Sequence, residues 1–251
     1  MSQVSSDELA WPYPRYIAHR GAGKLAPENT LAAMRAGHAL GYRMVEFDVK
    51  LSADGVPFLL HDDTLDRTTT GRGPADALSW SELSKLDAGG WHSPAYAGEP
   101  LPTLEQIAHW AIPNNVACNI EIKPMPGCEV ATGTAVALAA FTLWKRARVQ
   151  PLLSSFSEES LAAAQSAVPE LLRAMLYEQI PADWNERLSR LECVALDTDY
   201  RQLDAAIIAA VHQGGYKVLS YTPNDPVLVS RLVAWKVDGI ITDAIDLIRP
   251  D

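Results

Sequence analysis

Glu46 and Asp48 stand two residues apart in the apolar run Met44–Val49, and Glu121 and Lys123 repeat that spacing in Asn119-Ile120-Glu121-Ile122-Lys123. Residues two apart on a strand project from the same face, so Glu46 and Asp48 share one side while Val45, Phe47 and Val49 take the other. A hydrophobic strand buries charge at heavy cost unless the charge is paired or binds a metal. Brought together, Glu46, Asp48 and Glu121 form an oxygen-rich, hard site suited to Mg²⁺ or Ca²⁺ rather than Zn²⁺. Two histidines fall at the ends of other strand-like runs, His19 in His19-Arg20-Gly21 and His61 in Leu60-His61-Asp62. Beside a metal they supply a proton acceptor and a proton donor near neutral pH. Arg20, as a fork, and Lys123, as a point charge, suit the non-bridging oxygens of a phosphate. Metal, base, acid and two cations together specify phosphoryl-ester hydrolysis.

Each residue alone has a structural alternative. A strand-end histidine is often only hydrogen-bonded, and Glu46 or Asp48 could be a salt-bridge mate of Lys123. Within Glu28-Asn29-Thr30, Asn29 reads as a helix cap, and His38, His92, His109 and His212 read as surface or packing residues. Joint occurrence at strand ends favours chemistry, because the structural alternatives must otherwise all hold at once.

The elements that must position these residues alternate. Strand-like runs cover Tyr16–His19, Met44–Val49, Val116–Ile122, Pro151–Phe156, Leu172–Tyr177, Cys193–Asp197, Lys217–Thr222 and Gly239–Thr242. Helical patterns cover Thr30–Leu40, Leu104–Ala111, Val130–Lys145, Glu158–Ala167, Leu203–Val211 and Pro226–Ala234, with a weaker one at Asp183–Leu191; Asn29, Thr103, Ser157 and Asn224 are candidate caps. Strands alternating with helices predict parallel pairing, and eight such units in 251 residues predict an α/β fold, a (β/α)₈ TIM barrel. A doubly wound open sheet is the runner-up, but its G-x-G-x-x-G loop does not follow the first strand. Asp54-Gly55 predicts a hairpin that returns Val56–His61 antiparallel. The turn-rich stretch from about 62 to 102 reads as a small insertion between the second strand and second helix, set over the barrel mouth, within one domain spanning 1–251.

Composition narrows the partners. With 21 Lys+Arg against 31 Asp+Glu the net charge is −10, a surface that repels nucleic-acid backbones and anionic lipid, so neither nucleic-acid binding nor stable membrane association is expected. Three cysteines without C-x-x-C spacing, no leading basic-then-apolar signal segment and no apolar stretch near 20 residues predict a cytoplasmic protein with reduced thiols.

These residues resemble the glycerophosphodiester phosphodiesterases, most closely the cytosolic bacterial enzyme associated with glycerol-3-phosphate uptake. The likeness runs through Ala18-His19-Arg20-Gly21, Ala26-Pro27-Glu28-Asn29-Thr30, Val45-Glu46-Phe47-Asp48-Val49, Leu60-His61-Asp62, Leu65-Asp66-Arg67-Thr68-Thr69, Leu101-Pro102-Thr103-Leu104 and Asn119-Ile120-Glu121-Ile122-Lys123. Ser154-Ser155-Phe156, Tyr221-Thr222 and Ile241-Thr242-Asp243 follow in the family's order. The resemblance implies a metal-dependent barrel acting on a small-molecule glycerophosphodiester, with His19 and His61 as the acid/base pair and Glu46, Asp48 and Glu121 as ligands of a divalent metal cation, Mg²⁺ or Ca²⁺. It also implies that Arg20 and Lys123 hold phosphate, that Glu28 lies near the metal or supports Arg20, and that Phe156 and Tyr221 shape the glycerol side. The family commonly has Trp- or Tyr-Thr-Val-Asn near the seventh strand; here Tyr221-Thr222-Pro223-Asn224 replaces a backbone donor with proline. Alternatives are a phosphodiesterase acting on phosphoinositide or sphingolipid headgroups, or a non-catalytic barrel that binds phosphorylated metabolites.

Overall fold

The computed structural model describes residues 11–250. Residues 1–10, the larger part of the leading segment read as carrying no signal, lie outside the described residues. Among the described residues nine strands form one sheet: β1 (Tyr16–Ala18), β2 (Met44–Leu51), β3 (Pro57–Leu59), β4 (Ala117–Ile122), β5 (Leu152–Ser155), β6 (Arg173–Tyr177), β7 (Ala195–Asp199), β8 (Lys217–Tyr221) and β9 (Gly239–Thr242). All pairings are parallel except β2–β3, and β1 pairs with both β2 (Ala18↔Val45) and β9 (Ile17↔Ile241). The ring therefore closes on eight parallel strands. That is the (β/α)₈ barrel, and closure excludes the open sheet. The hairpin at Asp54-Gly55 forms as the sequence predicts, with Gly55 at φ 81° and Val49 opposite Leu59.

The helices are α1 (Leu31–Ala39), α2 (Trp80–Leu83), α3 (Leu104–Ala111), α4 (Glu129–Trp144), α5 (Glu158–Ala167), α6 (Trp184–Arg190), α7 (Ala205–Gln213) and α8 (Pro226–Ala234). Thr103 and Ser157 cap α3 and α5 as their side chains predict. Asn29 and Asn224 do not cap. Thr30 accepts from the Ala33 amide at the start of α1, and Asp225 accepts from Val227 at the start of α8. Both asparagines have tertiary partners instead: Asn29 bonds Asp48, while the Asn224 carbonyl accepts from Thr242 and the Asp243 amide. Helix α7 begins two residues later than its pattern, because Tyr200–Gln202 winds into a short 3-10 turn and Asp204 caps the helix that follows.

Period-two patterning divides each barrel strand between two environments. Outward residues such as Val45, Phe47, Ile120 and Ile122 pack with Met34, Ile107, Val136 and Trp144 of the helical layer. Inward residues near the strand starts (Ile17, Met44, Ala117, Leu152, Ala174, Ala195, Leu219 and Ile241) make an apolar floor. Two residues further along β2, β4, β5 and β7 the interior turns polar, at Glu46, Asn119, Ser154 and Asp197, all buried. The insertion after β3 has its own small core of Phe58, Leu60, Leu65, Ala75, Leu83, Ala88 and Leu101.

Candidate active site

The chain turns abruptly where β1 ends. His19–Gly21 forms a 3-10 turn in which Arg20 takes φ 51°, a left-handed conformation uncommon for a side-chain-bearing residue. The turn aims the Arg20 amide at Glu46 Oε2 (3.1 Å) and its guanidinium at Glu28 Oε1 (2.7 Å) and Asp48 Oδ2 (3.5 Å). Gly23, at φ 55°, holds this loop against Asp243: a Cβ there would stand 2.1 Å from the Asp243 carbonyl oxygen. That contact puts the Asp243 carboxylate beside His19, with Oδ1 2.6 Å from Nδ1.

Adjacent strands β2 and β4 bring Asp48 level with Glu121, and carboxylate oxygens of Glu46, Asp48 and Glu121 lie within 4.8 Å of one another. Lys123 donates to Glu121 Oε1 at 3.0 Å and approaches Asp48 Oδ1 at 3.6 Å. Asn29 braces Asp48 twice, donating to Oδ2 at 2.8 Å and accepting from its amide at 3.1 Å. Burial, then Asp48 and Glu121, push the Glu46 carboxyl well above the usual carboxylate range. Burial, then Asp48, raises Glu121 as well. For Asp48 burial acts upward too, but Arg20 and Lys123 overcome it and hold the carboxylate low. Buried Glu46 Oε1 has no hydrogen-bond partner among the described residues. A hard cation fits that arrangement, because it satisfies the orphaned oxygen and relieves the mutual repulsion at once.

His61, just past β3, sets Nδ1 2.8 Å from Asp62 Oδ1. An ionised carboxylate only accepts, so in both His19 and His61 the Nδ1 carries the proton and Nε2 is left for other work. His19 Nε2 lies 3.8 Å from Glu46 Oε2. Burial, together with Arg20 and Lys123, lowers the His61 pKa although Asp48 acts in the other direction. Arg67 ties the insertion down by donating to both Asp62 oxygens and both Glu28 oxygens at 2.7–2.8 Å. Glu28 thus meets both Arg20 and Arg67.

One cleft of about 140 Å³ takes in His19, Arg20, Glu46, His61, Glu121 and Lys123, with Phe156 and Tyr221 on its wall. The two rings meet edge-to-face, 5.9 Å between centroids, and Lys123 Nζ lies 5.9 Å from the Phe156 centroid. Sequence reasoning did not single out Asn29, Asp62, Arg67, Asn119, Ser154, Asp197 or Asp243 as site residues. Asp243, Asp197 and Asp62 carried a positional signal, since each ends or follows a strand-like run.

The family model for the glycerophosphoryl diester phosphodiesterase family matches residues 19–247. A glycerophosphodiester phosphodiesterase of Caldanaerobacter subterraneus subsp. tengcongensis is 34% identical over 232 residues, covering 90% of this chain and 93% of that one. Among solved structures, an Oleispira antarctica phosphodiesterase in complex with the product sn-glycerol-3-phosphate superposes with TM-score 0.86 at 36% identity, covering 94% of this chain and 95% of that chain. A glycerophosphodiester phosphodiesterase from Agrobacterium tumefaciens superposes with TM-score 0.79 at 30% identity, covering 94% and 98%. With the motifs of the cleft, the closed barrel and nearly the whole length in agreement, the chain belongs to the glycerophosphoryl diester phosphodiesterase family and is an enzyme of that kind.

Proposed function

We propose that the chain hydrolyses small glycerophosphodiesters, such as glycerophosphocholine and glycerophosphoethanolamine, to sn-glycerol 3-phosphate and the free alcohol, with a divalent cation held by Glu46, Asp48 and Glu121. The observation that carries this reading is the flanking of the carboxylate cluster by two histidines, each with Nδ1 tied to an aspartate, in a cleft that also holds Arg20 and Lys123. A divalent cation bound there supplies Lewis-acid polarisation of a phosphate oxygen. Arg20 and Lys123 bind the non-bridging oxygens and neutralise the charge that grows on them in the transition state. One histidine Nε2 accepts the nucleophile's proton and the other donates to the departing alkoxide. Asp243 and Asp62 keep the two rings in the tautomer that leaves Nε2 free. Phe156 and Tyr221 pack against the glycerol carbons.

The product bound in the Oleispira antarctica neighbour supports the substrate class. The free cysteines Cys118, Cys128 and Cys193 support a reducing, cytoplasmic setting, and among the described residues no helix is long and apolar enough to cross a membrane. The test is a coupled assay for sn-glycerol 3-phosphate released from glycerophosphocholine, with and without EDTA. Release that EDTA abolishes and Mg²⁺ or Ca²⁺ restores is the expected result. Undiminished release in EDTA would remove the cation from the reaction. No release from any glycerophosphodiester by folded, metal-supplied protein would overturn the substrate class in favour of a lipid headgroup or a binding barrel.

A further inference from the structure

In the polar interior layer that also holds Glu46, the same cleft is lined by three buried side chains that the proposed chemistry does not use. They are Asn119 of β4, Ser154 of β5 and Asp197 of β7, with relative exposures of 1%, 0% and 0%. Asn119 Nδ2 and Oδ1, Ser154 Oγ and both carboxylate oxygens of Asp197 have no hydrogen-bond partner among the described residues. All three residues line the cleft that opens between His19, His61 and Lys123. Folded proteins seldom leave buried polar atoms unpaired, because each costs on the order of 1–3 kcal/mol. Five such atoms on three strands around one cavity therefore mark a place where something polar binds.

The donor set selects the occupant. A phosphate asks only for donors and a metal ion only for acceptors. Asn119 offers one of each, Ser154 offers both on one atom, and Asp197 accepts, or donates when protonated. A hydroxyl group, itself both donor and acceptor, is the match. Toward the mouth the wall carries Leu176, Tyr221 and Phe156 around a short carbon skeleton. Below them the packed floor of Met44, Ala117, Leu152, Ala174 and Leu219 closes the barrel.

We infer that Asn119, Ser154 and Asp197 form a specificity subsite that reads the terminal hydroxyl of the substrate's glycerol, the one farthest from phosphorus. This rests on the proposed glycerophosphodiesterase reading. With phosphate held by Arg20 and Lys123 at the mouth, the glycerol points into the barrel and its last hydroxyl meets Asn119, Ser154 and Asp197. A site built to bond a hydroxyl rejects an analogue lacking it far more strongly than a hydrophobic pocket rejects a missing methylene, since its own polar groups are then left unpaired.

The experiment compares kcat/KM for glycerophosphocholine with that for 2-hydroxypropyl phosphocholine, which keeps the hydroxyl next to the phosphoester carbon and lacks only the terminal one. The wild type should prefer glycerophosphocholine by about 100-fold or more. Ser154→Ala and Asp197→Ala should shrink that ratio at least tenfold, chiefly by losing activity on glycerophosphocholine, and Asp197→Asn should recover part of it. A wild-type ratio below about threefold, or variants that keep the wild-type ratio, would overturn the inference and leave the three side chains to bound water. Should the variants lack a cooperative melting transition, the wild type alone decides: sn-glycerol 3-phosphate should inhibit at least about tenfold more tightly than 2-hydroxypropyl phosphate, and equal inhibition overturns the subsite. Failure to turn over glycerophosphocholine at all sinks the substrate reading itself, whereas turnover with no preference sinks only the subsite.

Discussion

The division of labour among the polar residues follows from what each touches. His19 and His61 resemble each other in having Nδ1 bonded to a carboxylate, but their partners come from different places: Asp62 is the next residue, whereas Asp243 arrives from the far end of the chain, 224 positions away. His19 therefore depends on barrel closure for its orientation, and His61 depends on its own loop. Replacing either histidine with alanine should lower kcat by about two to four orders of magnitude with the melting temperature nearly unchanged; a loss of only a few-fold would remove that residue from proton transfer. Asp243→Asn is the sharper test of orientation. The amide can donate to Nδ1 and so favour the tautomer with the proton on Nε2, and kcat should fall on the order of 10²-fold or more while KM for glycerophosphocholine moves little. Unchanged kcat would show that the 2.6 Å contact between His19 and Asp243 does not set the tautomer.

Secondary elements were legible from the sequence where burial alone dictates the pattern, and less so where a tertiary partner intervenes. The eight barrel strands show as apolar runs because one face meets the helices and much of the other meets the floor. The helix starts at Asn29 and Asn224 were misread by one residue, since each asparagine side chain serves the neighbouring strand ends in preference to its own helix. The same cause explains which site residues the sequence revealed. Glu46, Asp48 and Glu121 are conspicuous as charges inside apolar strands, but Arg67 sits in a turn-rich insertion, where its motif gives it no role until folding brings it to Glu28 and Asp62. That clamp is an element-scale device, joining the insertion to the loop after β1. Hydrogen bonds from Arg67 hold Glu28 below the usual carboxylate range against the opposing effect of burial, and for Asp62 they are the leading cause of a similar lowering. A lowered folded-state pKa contributes stability that is present above the unfolded pKa and is lost as pH falls through the folded value. Arg67→Ala should thus be less heat-stable than the wild type at pH 7, with the gap closing below about pH 4, and its kcat/KM should drop roughly ten- to hundredfold as His61 loses its anchored neighbour. A melting difference that stays constant down to pH 2 would contradict the clamp.

At the scale of the whole molecule, the barrel gathers negative charge that the unfolded chain keeps apart. The carboxylates come from β2 and β4, strands that the hairpin, the insertion and α3 separate in sequence and that only the closed sheet sets side by side. The folded protein alone therefore assembles the three-carboxylate cluster proposed to hold a cation, and a ligand that binds only the folded state adds RT ln(1 + [L]/Kd) to its stability, about 2.7 kcal/mol at a hundredfold excess over Kd. For a domain of this size each kcal/mol moves the melting temperature by roughly 2–4 °C, so saturating Mg²⁺ or Ca²⁺ should raise it by roughly 5–10 °C over the value in EDTA. Nonspecific screening of the net charge of −10 would also stabilise the protein, but it would act equally with matched ionic strength from a monovalent salt. Differential scanning calorimetry at constant ionic strength separates the two effects. The divalent shift should survive that control and vanish in Glu46→Gln, whose amide replaces one hard anionic ligand. A shift that monovalent salt reproduces, or that persists undiminished in Glu46→Gln, would assign the stabilisation to the surface and not to the carboxylates inside the barrel.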